Sequence, residues 1–383
     1  MGARILLFYP AMAPYRVDLF NRLAEEAVFR VVFLDREIYY HRELDPRGVT
    51  ASLRCDHGFL SEGFSLGGRS FPLGLGGEID RFRPQAVITV EYALPTLLAL
   101  WHRRGKRRYG LTLLTAENPW ILAERRGVRA LLARYLPRLC DSMLVYSEEM
   151  KSAFEARGVA GGRLFVAANH HEEGAFRSRL VDSRVLLSGM LERYRLAGRK
   201  VVLFVGRLVR VKGLEILVGA FARVARRLPE AVLVLVGSGP EAAALGRQAV
   251  AEGVGDRVLL PGHREGAELV AWYHLASLFV LNSLWEPYGA VVNEALLAGV
   301  PVLCSHRAGS RALIREGWNG RIVDPEDCDA LAVGLEQELI AAPTAEVTAV
   351  RLRDSLMPVT FQRDVDGFLG AADLAARSSG DRS

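Results

Sequence analysis

Short, continuous apolar runs alternate with amphipathic segments along this chain, and they do so twice. In the first half the runs are RILLFY (4–9), RVVFL (30–34), AVITV (86–90), LTLLT (111–115) and SMLVY (142–146). In the second half they are VVLFV (201–205), AVLVLV (231–236), SLFVL (277–281) and VPVLC (300–304). Runs of this length without polar alternation suit strands covered on both faces. Helical patterns lie between them, as in GLEILVGAFARVARRL (213–228). Such alternation implies a parallel sheet flanked by helices. It restarts after a polar stretch at 177–199, and 383 residues are enough for about two domains of ordinary size. The pattern predicts two doubly wound α/β domains, 1–180 and 181–357, with a C-terminal helix over 358–377 packing back on the first. Residues 44–78 are Gly-rich and read as long loops.

Half of the residues are hydrophobic, 24% are charged and 8% aromatic, which excludes a disordered, collagenous or coiled-coil chain. No run approaches the roughly 18 apolar residues of a membrane span. The start, MGARILLFYP, lacks a signal-peptide cleavage pattern and reads as the first strand. Cysteines 55, 140, 304 and 328 show neither CxxC nor metal-ligand spacing, so the expected location is a reducing cytoplasm. Only four of the 49 basic residues are lysine, a bias of coding rather than a nucleic-acid signal, and no nucleic-acid-binding module is present.

The basic excess is local. Residues 1–180 hold 26 basic and 20 acidic side chains, residues 181–383 hold 23 and 24, and 101–140 alone holds ten against two. Within 122–138, Val128, Leu131, Leu132, Tyr135 and Leu136 recur at helical spacing. That stripe is expected to be buried against the first sheet, with Arg125, Arg126, Arg129 and Arg134 toward solvent. The basic face is then either simply solvated or rests on an anionic membrane surface, which would make the protein peripheral to the membrane.

The densest chemically capable group lies in the second half. VVLFV leads into Gly206-Arg207, and Lys212-Gly213 follows before the next helix. Gly206 permits a ligand close to the backbone, and the two cations can neutralise a diphosphate. The same pattern is also that of an ordinary strand-loop-helix with two surface cations. SLWEPYGAVVNEALLAGVPVL (283–303) then opens a helix at Gly289. The amides of Tyr288, Gly289, Ala290 and Val291 at a helix start suit an anion. Glu286 and Glu294 stand eight positions apart and can flank a phosphate, or can simply be acids near a helix start. LVGSGPE (235–241) sets Gly237 and Gly239 after a further strand, a weak signal alone. EGWNGRIVDPED (316–327) reads as a turn, a short strand and a helix cap.

In this order and spacing the pieces resemble the retaining glycosyltransferases of family four, glycosyl transferases group 1, which have the GT-B fold. FVGRLVRVKG (204–213) looks like their strand-Gly-Arg-x4-Lys-Gly motif. Glu286 to Glu294, with Pro287, Tyr288 and Gly289 between, looks like their E-x7-E motif. NGRIVDPED (319–327) resembles their Asn-Gly-x-x-Val turn, and VYSEEMKSAFEARGV (145–159) their Ser-Glu helix. The resemblance is specific from about residue 140 to 335 and weak before 135. It implies two doubly wound Rossmann-like domains facing a cleft. It also implies a UDP- or GDP-linked sugar as co-substrate, a sugar, lipid-linked or small-molecule acceptor, no metal and no other cofactor. By the same resemblance Arg207 and Lys212 stabilise the leaving diphosphate, Glu286 meets the donor sugar and Glu294 the ribose. Gly206, Gly237, Gly239, Pro287, Tyr288, Gly289, Ala290 and Val291 then line the donor.

The first half departs from that family. The loop after the first strand, YPAMAPYRVDLFNRLAE (9–25), has no Gly-Gly pair but a Tyr15-Arg16 pair, expected either on the acceptor side or with Tyr15 packed and Arg16 solvated. The family's histidine after the strand LTLLT is absent, and Thr115-Ala116-Glu117-Asn118-Pro119-Trp120 stands there. Glu117 is the ionisable group placed to substitute for it, with Asn118 beside it. Asn169-His170-His171-Glu172 replaces the family's Asn-Gly-x-Asp, and neighbouring histidines in one loop make a poor metal site. DCD (327–329) and DVD (364–366) follow no donor-site strand, so metal dependence is not expected. The rival readings are a nucleotide-sugar 2-epimerase-like enzyme, separable by donor turnover without an acceptor, and a non-catalytic nucleotide-sugar-binding subunit.

Overall fold

The structure, a computed structural model, describes residues 3–35, 50–60, 64–66, 69–71, 73–105 and 109–380. The chain divides into two units: Met1–His171 with Phe361–Ser383, and Glu172–Thr360.

In the first unit the strands are β1 (Arg4–Tyr9), β2 (Val28–Phe33), β3 (Asp56–Phe59), β6 (Ala86–Val90), β7 (Gly110–Thr115), β8 (Ser142–Val145) and β9 (Leu164–Val166). They form one sheet in the order β3-β2-β1-β6-β7-β8-β9, parallel throughout. β4 (Phe64–Leu66) and β5 (Arg69–Phe71) form a separate antiparallel pair within the stretch expected as loops. The central strands bury nearly every residue, including Leu6, Phe8, Val87, Leu111, Leu113 and Met143. This is why they read as unbroken apolar runs.

The chain returns to this unit through the helix Phe361–Gly380, which lies on β7, β8 and β9. A Cβ on Gly110 would overlap the Ala375 carbonyl, and one on Gly367 would come within 2.5 Å of the Val166 carbonyl. Bare backbone therefore lets this helix approach the sheet closely. Ser142 Oγ donates to the Ala371 carbonyl at 2.8 Å, and the Asp364 carboxylate accepts the Ala168 and His170 amides at 2.9 and 3.0 Å.

The second unit holds β10 (Lys200–Val205), β11 (Ala231–Val236), β12 (Val258–Gly262), β13 (Leu278–Leu281), β14 (Val302–Ser305) and β15 (Gly320–Val323). Their order is β12-β11-β10-β13-β14-β15, again parallel. The polar stretch expected to separate the domains folds into the helices Glu173–Ser183 and Leu187–Arg193. Phe176, Leu180, Leu187 and Met190 bury into the second core, so the division falls after His171 rather than at 180.

Both sheets wind outward from the middle. The order reverses between β1 and β6 in one and between β10 and β13 in the other. In open parallel sheets ligands bind outside the carboxyl ends of the strands at such a reversal. The loops after β10 and β13, and those after β1 and β6, are thereby the places to look.

Candidate active site

In the second unit the two reversal strands end at Val205 and Leu281, and the loops they release are stitched together. Leu284 N donates to the Val211 carbonyl at 2.8 Å, and Asn282 Nδ2 donates to the Gly213 carbonyl at 3.0 Å. These bonds bring Lys212 and Glu286 into a direct ion pair, 74 positions apart in sequence. Both side chains are mostly buried, and Ser283 Oγ donates to the same Glu286 oxygen at 3.4 Å. A partly desolvated lysine beside a strand end can receive a diphosphate, with the carboxylate left to accept hydroxyls.

Arg207 is exposed in the same loop, just beyond Gly206. The β11 loop packs on it: Gly206 N donates to the Val236 carbonyl at 3.0 Å and Leu208 N to the Ser238 carbonyl at 2.7 Å. Gly237 has φ of 146°, and a Cβ there would overlap the Gly206 carbonyl. A Cβ on Gly239 would come within 2.2 Å of the Leu208 carbonyl. Their glycine identity is thus accounted for by the meeting of two loops, whatever they do for a ligand.

The helix expected to open at Gly289 runs over Val291–Leu297 with Ala290 as its cap. The Val292 and Asn293 amides donate to the Gly289 and Ala290 carbonyls at 3.1 and 2.9 Å. Tyr288 is buried, its hydroxyl donating to Asn293 Oδ1 at 3.3 Å, and its carbonyl accepts Ser310 N at 2.8 Å. This fixes the Pro287-Tyr288-Gly289 turn in front of the helix. Glu294 projects beside Tyr273, whose phenol is pushed well above its usual range, first by burial and then by that carboxylate. Burial also drives the nearby Cys304 thiol up to about 12, so it carries no thiolate near neutrality.

In the first unit Tyr15 is half-buried. Arg16 is fully buried, with Nε donating to the Tyr9 hydroxyl at 3.2 Å, Nη1 to the Ala168 carbonyl at 3.1 Å, and Nη2 to the Tyr146 hydroxyl. Its acceptor-side assignment is therefore corrected: the guanidinium ties β1, β8 and the β9 loop together and reaches no surface. Glu117 is buried too, and both its oxygens are taken by Arg125 in a forked pair. Asn118 caps the helix Pro119–Glu124, its side chain accepting Ile121 N at 2.9 Å. Arg125, expected in solvent, is half-buried between Glu117 and the Tyr92 ring, 5.1 Å from its centroid.

A residue not singled out from the sequence stands at this reversal point. Glu91 directly follows β6 and has a left-handed backbone, φ 63°, which costs a non-glycine residue roughly 1–3 kcal/mol. Its carboxylate accepts the Ala116 amide at 2.9 Å and the Thr115 hydroxyl at 3.4 Å, and lies 3.9 Å from Arg125. Burial against β7 raises its pKa, an effect that the Ala116 amide and Arg125 oppose. The side chain still keeps 32% of its surface exposed. Its position at the end of AVITV was the available signal.

The aspartate pairs are engaged in the fold. Asp327 caps the helix Cys328–Ile340, Asp329 pairs with Arg223, and Asp364 holds the His170 loop. Glu172 caps the helix Glu173–Ser183. Among the described residues no cluster of three or more His, Cys, Asp or Glu could hold a metal ion.

Residues 192–347 match the family glycosyl transferases group 1. The chain is 32% identical over 184 residues to a GDP-mannose-dependent alpha-(1-6)-phosphatidylinositol monomannoside mannosyltransferase of Mycolicibacterium smegmatis, covering 46% of this chain and 48% of that one. It is 31% identical over 158 residues to the alpha-D-kanosaminyltransferase of Streptomyces kanamyceticus, covering 41% of each. The chain thus spans less than half the length of these curated relatives. The crystal structure of Anabaena Alr3699/HepE in complex with UDP and glucose superposes over 100% of this chain and 98% of that one, with a TM-score of 0.67 at 17% identity. By its two parallel α/β units the chain has the GT-B fold, and its residues 192–347 are similar to the glycosyl transferases group 1.

Proposed function

We propose that the protein is a metal-independent glycosyltransferase that moves a sugar from a nucleotide diphosphate sugar to an acceptor hydroxyl. The observation that carries this reading is the Lys212–Glu286 pair at the carboxyl ends of β10 and β13. Lys212 and Arg207 stabilise the departing diphosphate, aided by the Tyr288–Val291 backbone. Glu286 orients hydroxyls of the donor sugar, and Glu294 binds the ribose. The leaving phosphate takes the acceptor proton and attack comes from the same face, so the sugar configuration is retained. The GDP-mannose donor named for one relative and the UDP bound in one structural neighbour support a UDP- or GDP-linked sugar as the donor.

On the acceptor side the reading moves from Glu117 to Glu91. Glu117 is neutralised by a forked arginine, whereas Glu91 is partly exposed and only distantly paired. Tyr15, half-buried on the β1 loop, remains on this side. The acceptor is a sugar, a lipid-linked sugar or a small molecule, and the work is cytoplasmic.

The test is a thermal-shift screen with UDP, GDP, UDP-glucose and GDP-mannose, followed by diphosphate-release assays over an acceptor panel. A ligand held at about 100 times its dissociation constant should raise the melting temperature by roughly 5 °C. No shift with any nucleotide would sink the proposal. Tight donor binding without turnover would make the protein a binding subunit, and donor turnover without acceptor an epimerase-like enzyme.

A further inference from the structure

The helix Gly127–Leu139 has two apolar faces, and the sheet covers only one. Ala133, Leu136 and Pro137 are buried. Val128, Leu131 and Tyr135, expected to be buried with them, are 71%, 55% and 50% exposed. These three stand at i, i+3 and i+7, a single stripe along the helix. Arg134 and Arg138 run along one edge of the stripe and are also exposed. The Arg134 guanidinium carbon lies 5.7 Å from the Tyr135 ring centroid, which keeps the cation beside the apolar surface.

A second exposed aromatic stands on a helix whose end is tied to this one. Trp101, on the helix Leu94–Gly105, is 75% exposed. This helix follows β6, and the Gly127–Leu139 helix follows β7. Right-handed crossovers in one parallel sheet set both on the same face. Arg103 ties their ends together, donating through Nη2 to the Leu139 carbonyl at 2.9 Å and pairing with Asp141.

An apolar stripe edged by fixed cations suits a partner that is apolar within and anionic at its surface. A second copy packed on the stripe by two-fold symmetry would bring the same arginines against each other. A bilayer carrying anionic lipids matches every part. Aliphatic side chains enter the acyl boundary, Tyr and Trp sit at headgroup depth, and arginines meet phosphates. Among the described residues no helix is long and apolar enough to cross a membrane, so the contact is interfacial.

We propose that the outer face of the helix Gly127–Leu139, together with Trp101, is an interfacial anchor for anionic membranes, held by apolar insertion as well as by charge. The contact needs neither donor nor acceptor, so it stands or falls independently of the transfer reaction.

The experiment is co-sedimentation of the full chain with phosphatidylglycerol-containing vesicles and with pure phosphatidylcholine vesicles, at low and high salt. The wild type should pellet with the anionic vesicles and keep part of that binding at high salt, where charge alone is screened. Leu131→Asp/Tyr135→Asp should lose vesicle affinity by at least about tenfold while melting like the wild type. Arg134→Gln/Arg138→Gln should lose about fivefold per cation at low salt. Brominated lipid should quench tryptophan fluorescence in the wild type and not in Trp101→Phe. A wild type that stays in the supernatant at low salt overturns the proposal. So does a Leu131→Asp/Tyr135→Asp variant that pellets unchanged. Sedimentation as a dimer that this variant converts to monomer, without vesicle binding, would identify a second copy as the true occupant.

Discussion

Lys212 and Glu286 are each held by the other, so the two cannot be altered as isolated charges. If Lys212 carries the leaving diphosphate, Lys212→Ala should lower donor turnover on the order of 100-fold with the fold retained by circular dichroism. Near-normal turnover would remove the lysine from the site. Glu286→Ala and Glu294→Ala should differ in kind. The first should impair use of the nucleotide sugar and spare binding of the free nucleotide diphosphate, and the second should weaken the nucleotide itself. Titration calorimetry with both ligands separates these outcomes. Glu91 makes a pH-dependent prediction. Its folded pKa is raised, so its ionisation opposes folding. The stability associated with its protonated form is present in acid and lost as pH rises through the raised value. Glu91→Gln cannot ionise. Its melting temperature relative to wild type should therefore climb with pH across that range, and a flat difference would show that the carboxyl is solvated.

At the scale of elements, the loops after β10 and β11 can meet only because Gly237 has no side chain. Gly237→Ala forces those loops apart and imposes a backbone conformation that alanine rarely adopts. The expected cost is about 2–4 kcal/mol, with loss of nucleotide-induced stabilisation, read by denaturant titration with and without UDP or GDP. The short strands β3, β9 and β12 escaped the pattern of apolar runs. β3 reads Asp-His-Gly-Phe, β9 has three residues, and β12 runs into Pro261 and Gly262. Edge strands need little burial, so their composition carries little of the strand signature. Central strands such as β6 and β11, covered on both faces, stood where AVITV and AVLVLV put them.

For the whole molecule, the first unit is completed by residues that follow the second unit in the chain. The helix Phe361–Gly380 covers β7, β8 and β9 and supplies Asp364 to the loop before Glu172. Deleting 361–383 should uncover that sheet and destabilise the first unit selectively. Calorimetry of the deletion should show the first unit's transition lowered or absent. The transition that responds to the nucleotide should persist near its original temperature, because Glu172–Thr360 has its own core. A single transition lowered as a whole would show that the two units unfold as one.

Sequence alone determined the repeated strand-helix plan, the parallel sheets and the order of the motifs that follow β10, β11 and β13, because each is written in local periodicity or fixed spacing. Tertiary structure decided which side chains those motifs meet. Nothing local pairs Arg125 with Glu117, or sends Arg16 into the core against Tyr9 and Tyr146. Nor does periodicity choose between two apolar faces of one helix. Val128, Leu131 and Tyr135 fit a buried stripe as well as Leu136 does, and the face that meets the sheet is set by the crossover and by the small Ala133 and Pro137. Burial is a property of what lies opposite a residue, and what lies opposite comes from distant parts of the chain.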